Sequence, residues 1–298
     1  MPVGQIRQSL SGYYDVFSEG KLYRTRARGN FRKKKQTPLV GDFVEFKADN
    51  EHEGYILKIL ARKNQLIRPP VANIDTAIVV TACVEPDFSS NLLDRQLVML
   101  AKAAITPVLY FSKADLLDET SLKQMTAIAE YYRQYYRVLL SNEERAQHHL
   151  AQALLGDAKE EVVVVMGQTG AGKSTLLNQF DSSLKLATGQ ISKALSRGKH
   201  TTRKVTLMPI EGNLLADTPG FSSFDLRDIP KEELPQLFDD FLEYAPQCRF
   251  RGCLHLNEPN CAVKEAVQAG EILASRYDNY KLFQAMIASQ KPQYKNKK

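Results

Sequence analysis

Three short segments carry residue types and spacings able to handle a nucleoside triphosphate. Gly167-Gln168-Thr169-Gly170-Ala171-Gly172-Lys173-Ser174 fits a phosphate-binding loop: it follows an apolar strand and precedes an apolar helix. Its glycines let backbone amides turn in around phosphate oxygens with no side chain in the way, and the following helix adds its dipole. Lys173 is placed to reach the β- and γ-phosphates, and the Ser174 hydroxyl to coordinate magnesium. Asp217-Thr218-Pro219-Gly220 closes the apolar strand Leu214-Leu215-Ala216. There Asp217 can hold magnesium, directly or through water, and the Gly220 amide can sense the γ-phosphate. Ser112-Lys113-Ala114-Asp115 follows the strand Pro107–Phe111. A carboxylate at Asp115 accepts from guanine N1–H and the N2 amine, whereas adenine offers no such donor pair, so GTP is expected over ATP. The Lys113 stem can cover the purine face, and Ser141 can add a contact to the base. Position 112 is commonly Asn in guanine-binding proteins, which puts one stabilising hydrogen bond in question here.

The order of these segments is itself informative. The base-reading segment precedes the phosphate loop, the reverse of ordinary GTPases, so the domain reads as circularly permuted. Between the loop and Asp217 lies Thr188–Arg203, polar, glycine-containing and without apolar periodicity, which suits a switch. Thr202, with Thr201 as its alternative, is expected to bind magnesium and close over the γ-phosphate. Phe221 stands where a water-orienting glutamine is typical, and a phenyl ring cannot position water. His200, beside the two threonines, is the polar group expected to replace it, with slow intrinsic hydrolysis accelerated by a docking partner.

A second chemistry lies near the C-terminus. Cys248-x4-Cys253-x-His255-x5-Cys261 supplies three thiolates and an imidazole, a closed tetrahedral set suited to one structural zinc ion per chain. Arg249, Phe250 and Arg251 lie inside this loop and can present cations to RNA. Cys83, after Ile78-Val79-Val80, reads as an inert core thiol, and His52, His148 and His149 as surface residues.

Elements to position these groups follow from apolar periodicity. From Ile74 onward, apolar strands alternate with amphipathic helices, the pattern of an α/β fold with a largely parallel sheet. Strands are expected at Ile74–Ala82, Pro107–Phe111, Val138–Leu140, Val162–Met166, Val205–Pro209 and Leu214–Ala216. One helical face joins Leu92, Leu93, Gln96, Leu97 and Leu100; another joins Leu122, Met125, Ile128, Ala129 and Tyr132. A last helix is expected from Ala262 to Ser289. Residues 3–68 read instead as short strands, Gly4–Ser9, Gly12–Phe17, Lys21–Arg28, Asp42–Lys47 and Gly54–Ile59, spaced for a small barrel. The expected domains are a barrel over 1–68, a permuted GTPase over 69–225 and a helical metal-binding domain over 226–298.

Charge points to a polyanion. Residues 1–68 hold 14 Lys and Arg against 7 Asp and Glu, a surplus of seven in a chain whose net charge is +6, so the remainder is nearly neutral. Alternation sets Arg24, Arg26 and Arg28 on one strand face. Arg32, Lys33, Lys34 and Lys35 continue the charge into a loop, and Tyr13, Tyr14, Tyr23 and Phe31 offer stacking surfaces for RNA bases. The tail 291–298 adds a second basic patch. The longest purely apolar runs, such as Val162–Met166, are too short to span a bilayer, and the N-terminus has no secretory pattern. The expectation is a cytoplasmic monomer.

Together these residues resemble one family, the RsgA GTPases of small ribosomal subunit biogenesis. The resemblance covers the basic barrel, Ser112–Asp115 ahead of Gly167–Thr175, the switch Arg197-Gly198-Lys199-His200-Thr201-Thr202, Asp217–Gly220 and the Cys-Cys-His-Cys knot. It implies an N-terminal OB-fold, a permuted GTPase and a C-terminal zinc domain. It also implies binding to the small subunit and its rRNA with GTP, a part in late maturation, stimulated hydrolysis to GDP, and a catalytic histidine at the position of His200. Ser112 and Asn142 depart from the family pattern and bear on affinity for the base. Two other classes compete: a nucleotide-gated RNA-binding assembly factor with incidental hydrolysis, and a phosphate-loop kinase or ATPase.

Overall fold

Strand alternation governs the first third of the chain. In a computed structural model, which describes residues 1–29, 31, 36–67, 70–180, 205–217 and 226–289, with the backbone alone at 217 and 227, five strands form there. They are β1 (Val3–Leu10), β2 (Tyr13–Ser18), β3 (Lys21–Ala27), β4 (Phe43–Ala48) and β5 (Gly54–Ile59). Antiparallel pairs β1–β2, β2–β3, β4–β5 and β1–β4 and the parallel pair β3–β5 close them into a barrel. Inward-facing Ile6, Val16, Thr25, Val44, Phe46 and Ile56 fill it. The same alternation corrects one expectation. Tyr14 and Phe31 point into the core, and Tyr23 packs on Phe46 with ring centroids 5.2 Å apart, so of the four rings named as stacking surfaces only Tyr13 faces outward.

After the two-residue strands β6 (Gln65–Leu66) and β7 (Val71–Ala72), an α/β sheet begins. Its strands are β8 (Thr76–Ala82), β9 (Thr106–Ser112), β10 (Arg137–Leu140), β11 (Val162–Gly167), β12 (Val205–Ile210) and β13 (Asn213–Asp217), in the spatial order β10-β9-β8-β11-β13-β12. The first five are parallel, and β12 runs antiparallel to β13. Burial on both faces explains why β11 is apolar throughout. The sheet does not stop at β12. Gln8 and Ser9 of β1 pair with Thr206 and Val205, so barrel and sheet share one hydrogen-bonded ladder.

The expected C-terminal helix is two. Gly270, at φ 77°, ends the helix Ala262–Ala269, and a second runs from Ala274 to Ala288. A left-handed residue after the last turn is the usual helix stop, and glycine adopts it without a Cβ clash. This module packs on the helix Ser90–Lys102 through buried Arg276 and Asp94.

Candidate nucleotide and metal sites

Strands β8, β9, β10, β11 and β13 end on the same side of the sheet, where ligands of open α/β sheets bind. The phosphate loop follows β11. Gly167, at φ 144°, lies so close to β8 that a Cβ there would sit 2.0 Å from the Val80 carbonyl oxygen, which excludes every other residue. Gly170 and Gly172 take φ 85° and 91°. Lys173 opens the helix Lys173–Phe180, with Ser174 and Thr175 in its first turn. Its Nζ folds back to donate to the carbonyls of Gly167 and Gln168, both at 2.7 Å. Burial pushes its pKa down to about 8, because a charge held away from water has no carboxylate beside it among the described residues. Gln168 and Thr169 are exposed, while Ala171 is buried under the loop.

The base-reading segment meets that loop directly. Ser112, buried at the end of β9, donates from Oγ to the Ala171 carbonyl at 2.6 Å. A Cβ on Gly172 would stand 3.6 Å from Ser112, an ordinary contact, so its φ of 91° rather than lack of room calls for glycine there. Beyond it, Lys113 takes a left-handed turn at φ 59°, the Ala114 amide donates to Ser141 Oγ at 2.9 Å, and Ser141 Oγ donates to Asp115 Oδ1 at 3.2 Å. Asp115 is exposed, which leaves its carboxylate open to a ligand. Burial, with the Asp115 charge second, pushes both the Cys83 thiol and the Tyr110 hydroxyl up to about 12, so Cys83 stays protonated.

Two neighbours escaped the sequence reading. Lys113 Nζ donates to the Glu85 carbonyl, and Pro86 Cδ would lie 3.5 Å from a Cβ on Gly170. The segment after β8 thus touches both the base-reading and the phosphate-binding elements; a proline just past an apolar strand was the signal available. Asp217 ends β13, where Ala216 pairs with Val164 of β11, and so stands at the same end of the sheet. His200, Thr201, Thr202 and Gly220 lie outside the described residues, as do Arg32, Lys33, Lys34 and Lys35 and the tail 291–298.

The C-terminal cysteines and histidine converge. One ligand atom from each of Cys248, Cys253, His255 and Cys261 lies within 4.8 Å of the others. Cys248 Sγ is 3.9 Å from Cys261 Sγ and 3.6 Å from His255 Nδ1, and His255 Nδ1 is 3.3 Å from Cys261 Sγ. Zinc–sulfur bonds of about 2.3 Å at tetrahedral angles require edges of roughly 3.8 Å. Burial lowers the His255 pKa, which favours the neutral ring a metal needs. Tyr277 Oη donates to the His255 carbonyl at 2.7 Å, and Glu258 accepts from the Leu254 and Leu256 amides at 2.8 and 2.9 Å, fixing the loop. The cluster can hold a metal ion, and with four protein donors it leaves no open position for chemistry. Between the first two ligands, Arg249, Phe250 and Arg251 are exposed.

No described helix is long and apolar enough to cross a membrane. Family models match at residues 3–56, the RsgA N-terminal domain, and 59–227, the RsgA GTPase. A small ribosomal subunit biogenesis GTPase RsgA of Limosilactobacillus reuteri is 56% identical over 99% of this chain and 100% of its own length. One from Lactiplantibacillus plantarum is 57% identical over the whole of both chains. Among solved structures, YloQ, described as a circularly permuted GTPase, superposes with a TM-score of 0.81 at 42% identity, covering 99% of this chain and 97% of that one. YjeQ from Thermotoga maritima superposes at 0.82 and 32% identity, covering 97% and 99%. With the base-reading strand ahead of the phosphate loop and both at one end of the sheet, the chain belongs to the RsgA family of circularly permuted GTPases.

Proposed function

We propose that this chain hydrolyses GTP to GDP and phosphate on the small ribosomal subunit, in the late maturation of that particle. The observation that carries the reading is the hydrogen bond from Ser112 to the Ala171 carbonyl. It makes one crevice of a guanine-reading segment and a phosphate loop that lie in inverted order along the chain. The relatives named above act in small-subunit biogenesis, and the match runs the length of both chains.

In this reading Asp115, Ser141 and the Lys113 stem take the base, while the amides of Gly167–Thr175 and the Lys173 ammonium take the phosphates. Half-buried Lys173 already turns its charge onto two carbonyls, so an arriving triphosphate supplies the anion it lacks. Ser174, Thr202 and Asp217 would hold magnesium, whose charge would offset that building on the phosphate oxygens. Gly220 senses the γ-phosphate, and His200 orients the attacking water. Cys248, Cys253, His255 and Cys261 hold one structural zinc ion. Arg24, Arg26, Arg28 and Arg32, with Lys33, Lys34 and Lys35, meet rRNA phosphates. The protein works as a cytoplasmic monomer.

Turnover of GTP with purified small subunits, large subunits and neither tests the whole. Stimulation by small subunits alone is expected, and His200→Ala should keep GTP binding while losing about 10³-fold or more of that stimulation. Equal turnover in all three mixtures removes the ribosomal role, and full stimulation of His200→Ala removes the histidine.

A further inference from the structure

One row of outward-facing residues crosses four strands of the barrel and alternates rings with cations. Tyr13 of β2 stands opposite Arg26 of β3, Arg26 opposite Tyr55 of β5, and Tyr55 opposite Lys47 of β4. At about 4.8 Å between strands the row is roughly 14 Å long. Arg26, Tyr55 and Lys47 are exposed, Tyr55 by 44%. The Arg26 guanidinium carbon lies 4.4 Å from the centroid of the Tyr13 ring and Nη2 donates to the Tyr13 hydroxyl, so the ring sets the plane of the guanidinium. Arg24 approaches the same ring at 5.7 Å.

The neighbouring rows differ. Arg24 is paired with Asp15 at 3.2 Å and Lys58 with Glu45 at 3.2 Å, and Lys21 with Glu51 at 3.3 Å. Arg26 and Lys47 have no carboxylate partner among the described residues. Unpaired cations therefore coincide with the rings, while charges elsewhere on these strands are matched. A partner suited to this row carries negative charge and flat apolar faces together. Duplex RNA offers the first but hides the second in its base stack, whereas unpaired RNA offers both.

We propose that the row Tyr13, Arg26, Tyr55 and Lys47 takes an unpaired RNA segment, one base stacking on the Tyr55 ring and the adjoining phosphates meeting Arg26 and Lys47. This rests on the reading that the barrel faces the RNA of the small subunit, and it names the form of RNA the barrel receives. Tyr55 is the discriminating residue, because its ring adds affinity only where a base face is free.

The test uses the full chain and two labelled probes, a ten-nucleotide oligouridylate and a blunt RNA duplex, with basal GTP turnover as the control for folding. Tyr55→Ala should weaken the oligouridylate about 5- to 150-fold, in keeping with roughly 1–3 kcal/mol per stacked base. It should leave the duplex unchanged, and Tyr55→Phe should restore wild-type affinity. The double variant Arg24→Glu/Arg26→Glu should weaken both probes. If Tyr55→Ala changes neither probe, or both equally, while the double variant weakens both, the stacking proposal is overturned and the barrel keeps its RNA role. If none of the variants weakens either probe, the RNA role of the barrel falls and the proposal with it.

Discussion

A buried cation and a half-buried one sit at opposite ends of this molecule's business. Arg276, 1% exposed, is saturated: it donates to Asp240 at 2.7 and 2.8 Å and to Asp94 at 2.6 Å. Tyr131, Tyr132 and Asn279 complete the same carboxylates at 2.6, 2.8 and 2.7 Å. Burial alone would lower its pKa, but Asp94 and Asp240 outweigh it and hold the group firmly charged. Lys173 has only two carbonyls, and its pKa falls. A compensated buried charge fixes a domain in place; an uncompensated one is an open valence for a ligand. The first is architecture and the second is affinity held in reserve.

Removing the saturated charge should do the most damage. Arg276→Met leaves two carboxylates facing each other out of water and is expected to cost about 3–5 kcal/mol, read by urea unfolding. Burial already raises the Asp94 pKa against the pull of Arg276. Without the arginine, protonation relieves the repulsion, so the deficit should shrink as pH falls. A deficit that grows in acid breaks the account. Lys173→Met should lower subunit-stimulated turnover about 10²–10³-fold by removing a cation aimed at the phosphates, with far-UV circular dichroism unchanged. Tyr132→Phe deletes one bond to Asp94 and should cost about 1–2 kcal/mol without altering GTP affinity; a change in nucleotide binding would show that the two regions are not separate.

The smallest effect is the sharpest. The folded state depresses the Lys173 pKa to about 8, below the ordinary lysine value, so below pH 8 the nucleotide-free fold bears the full cost of a desolvated charge. That cost fades as pH rises from about 8 toward 10.5. Lys173→Met should therefore raise Tm at pH 7 without nucleotide, and the gain should dwindle above pH 8. Excess GTP should reverse the order by raising the wild-type Tm alone. A Lys173→Met protein less stable than wild type at pH 7 would erase the contrast between the two cations.

What the sequence disclosed follows the same division. Phosphate loop, base-reading segment and metal knot are contiguous because a turn around a ligand needs its residues within a few positions, and the described ones meet as their spacing suggests. Barrel and sheet strands were readable from alternation and from apolar runs, mostly to within a residue or two. Arg276, Asp94 and Asp240 were not, since their meeting depends on how distant helices pack, and an isolated Asp in Ser90–Lys102 looks like any solvated face. The buried Tyr14 and Phe31 show a related limit: a row of aromatics reads as a surface until strand pairing says which rings turn inward. Tyr55 went unnoticed for the converse reason, since the parallel pairing of β3 with β5 joins residues from separate stretches of the chain.

The ladder from β1 to β12 makes the N-terminal barrel a stopper for the nucleotide domain. Cut away the first strand, and Val205 and Thr206 at the start of β12 lose their partners Ser9 and Gln8, leaving open amides and carbonyls on that margin. Such a margin recruits foreign strands and seeds aggregation. A truncated chain would then lose its solubility for reasons unrelated to RNA, and what looks like a detachable adaptor is a seal on the catalytic half.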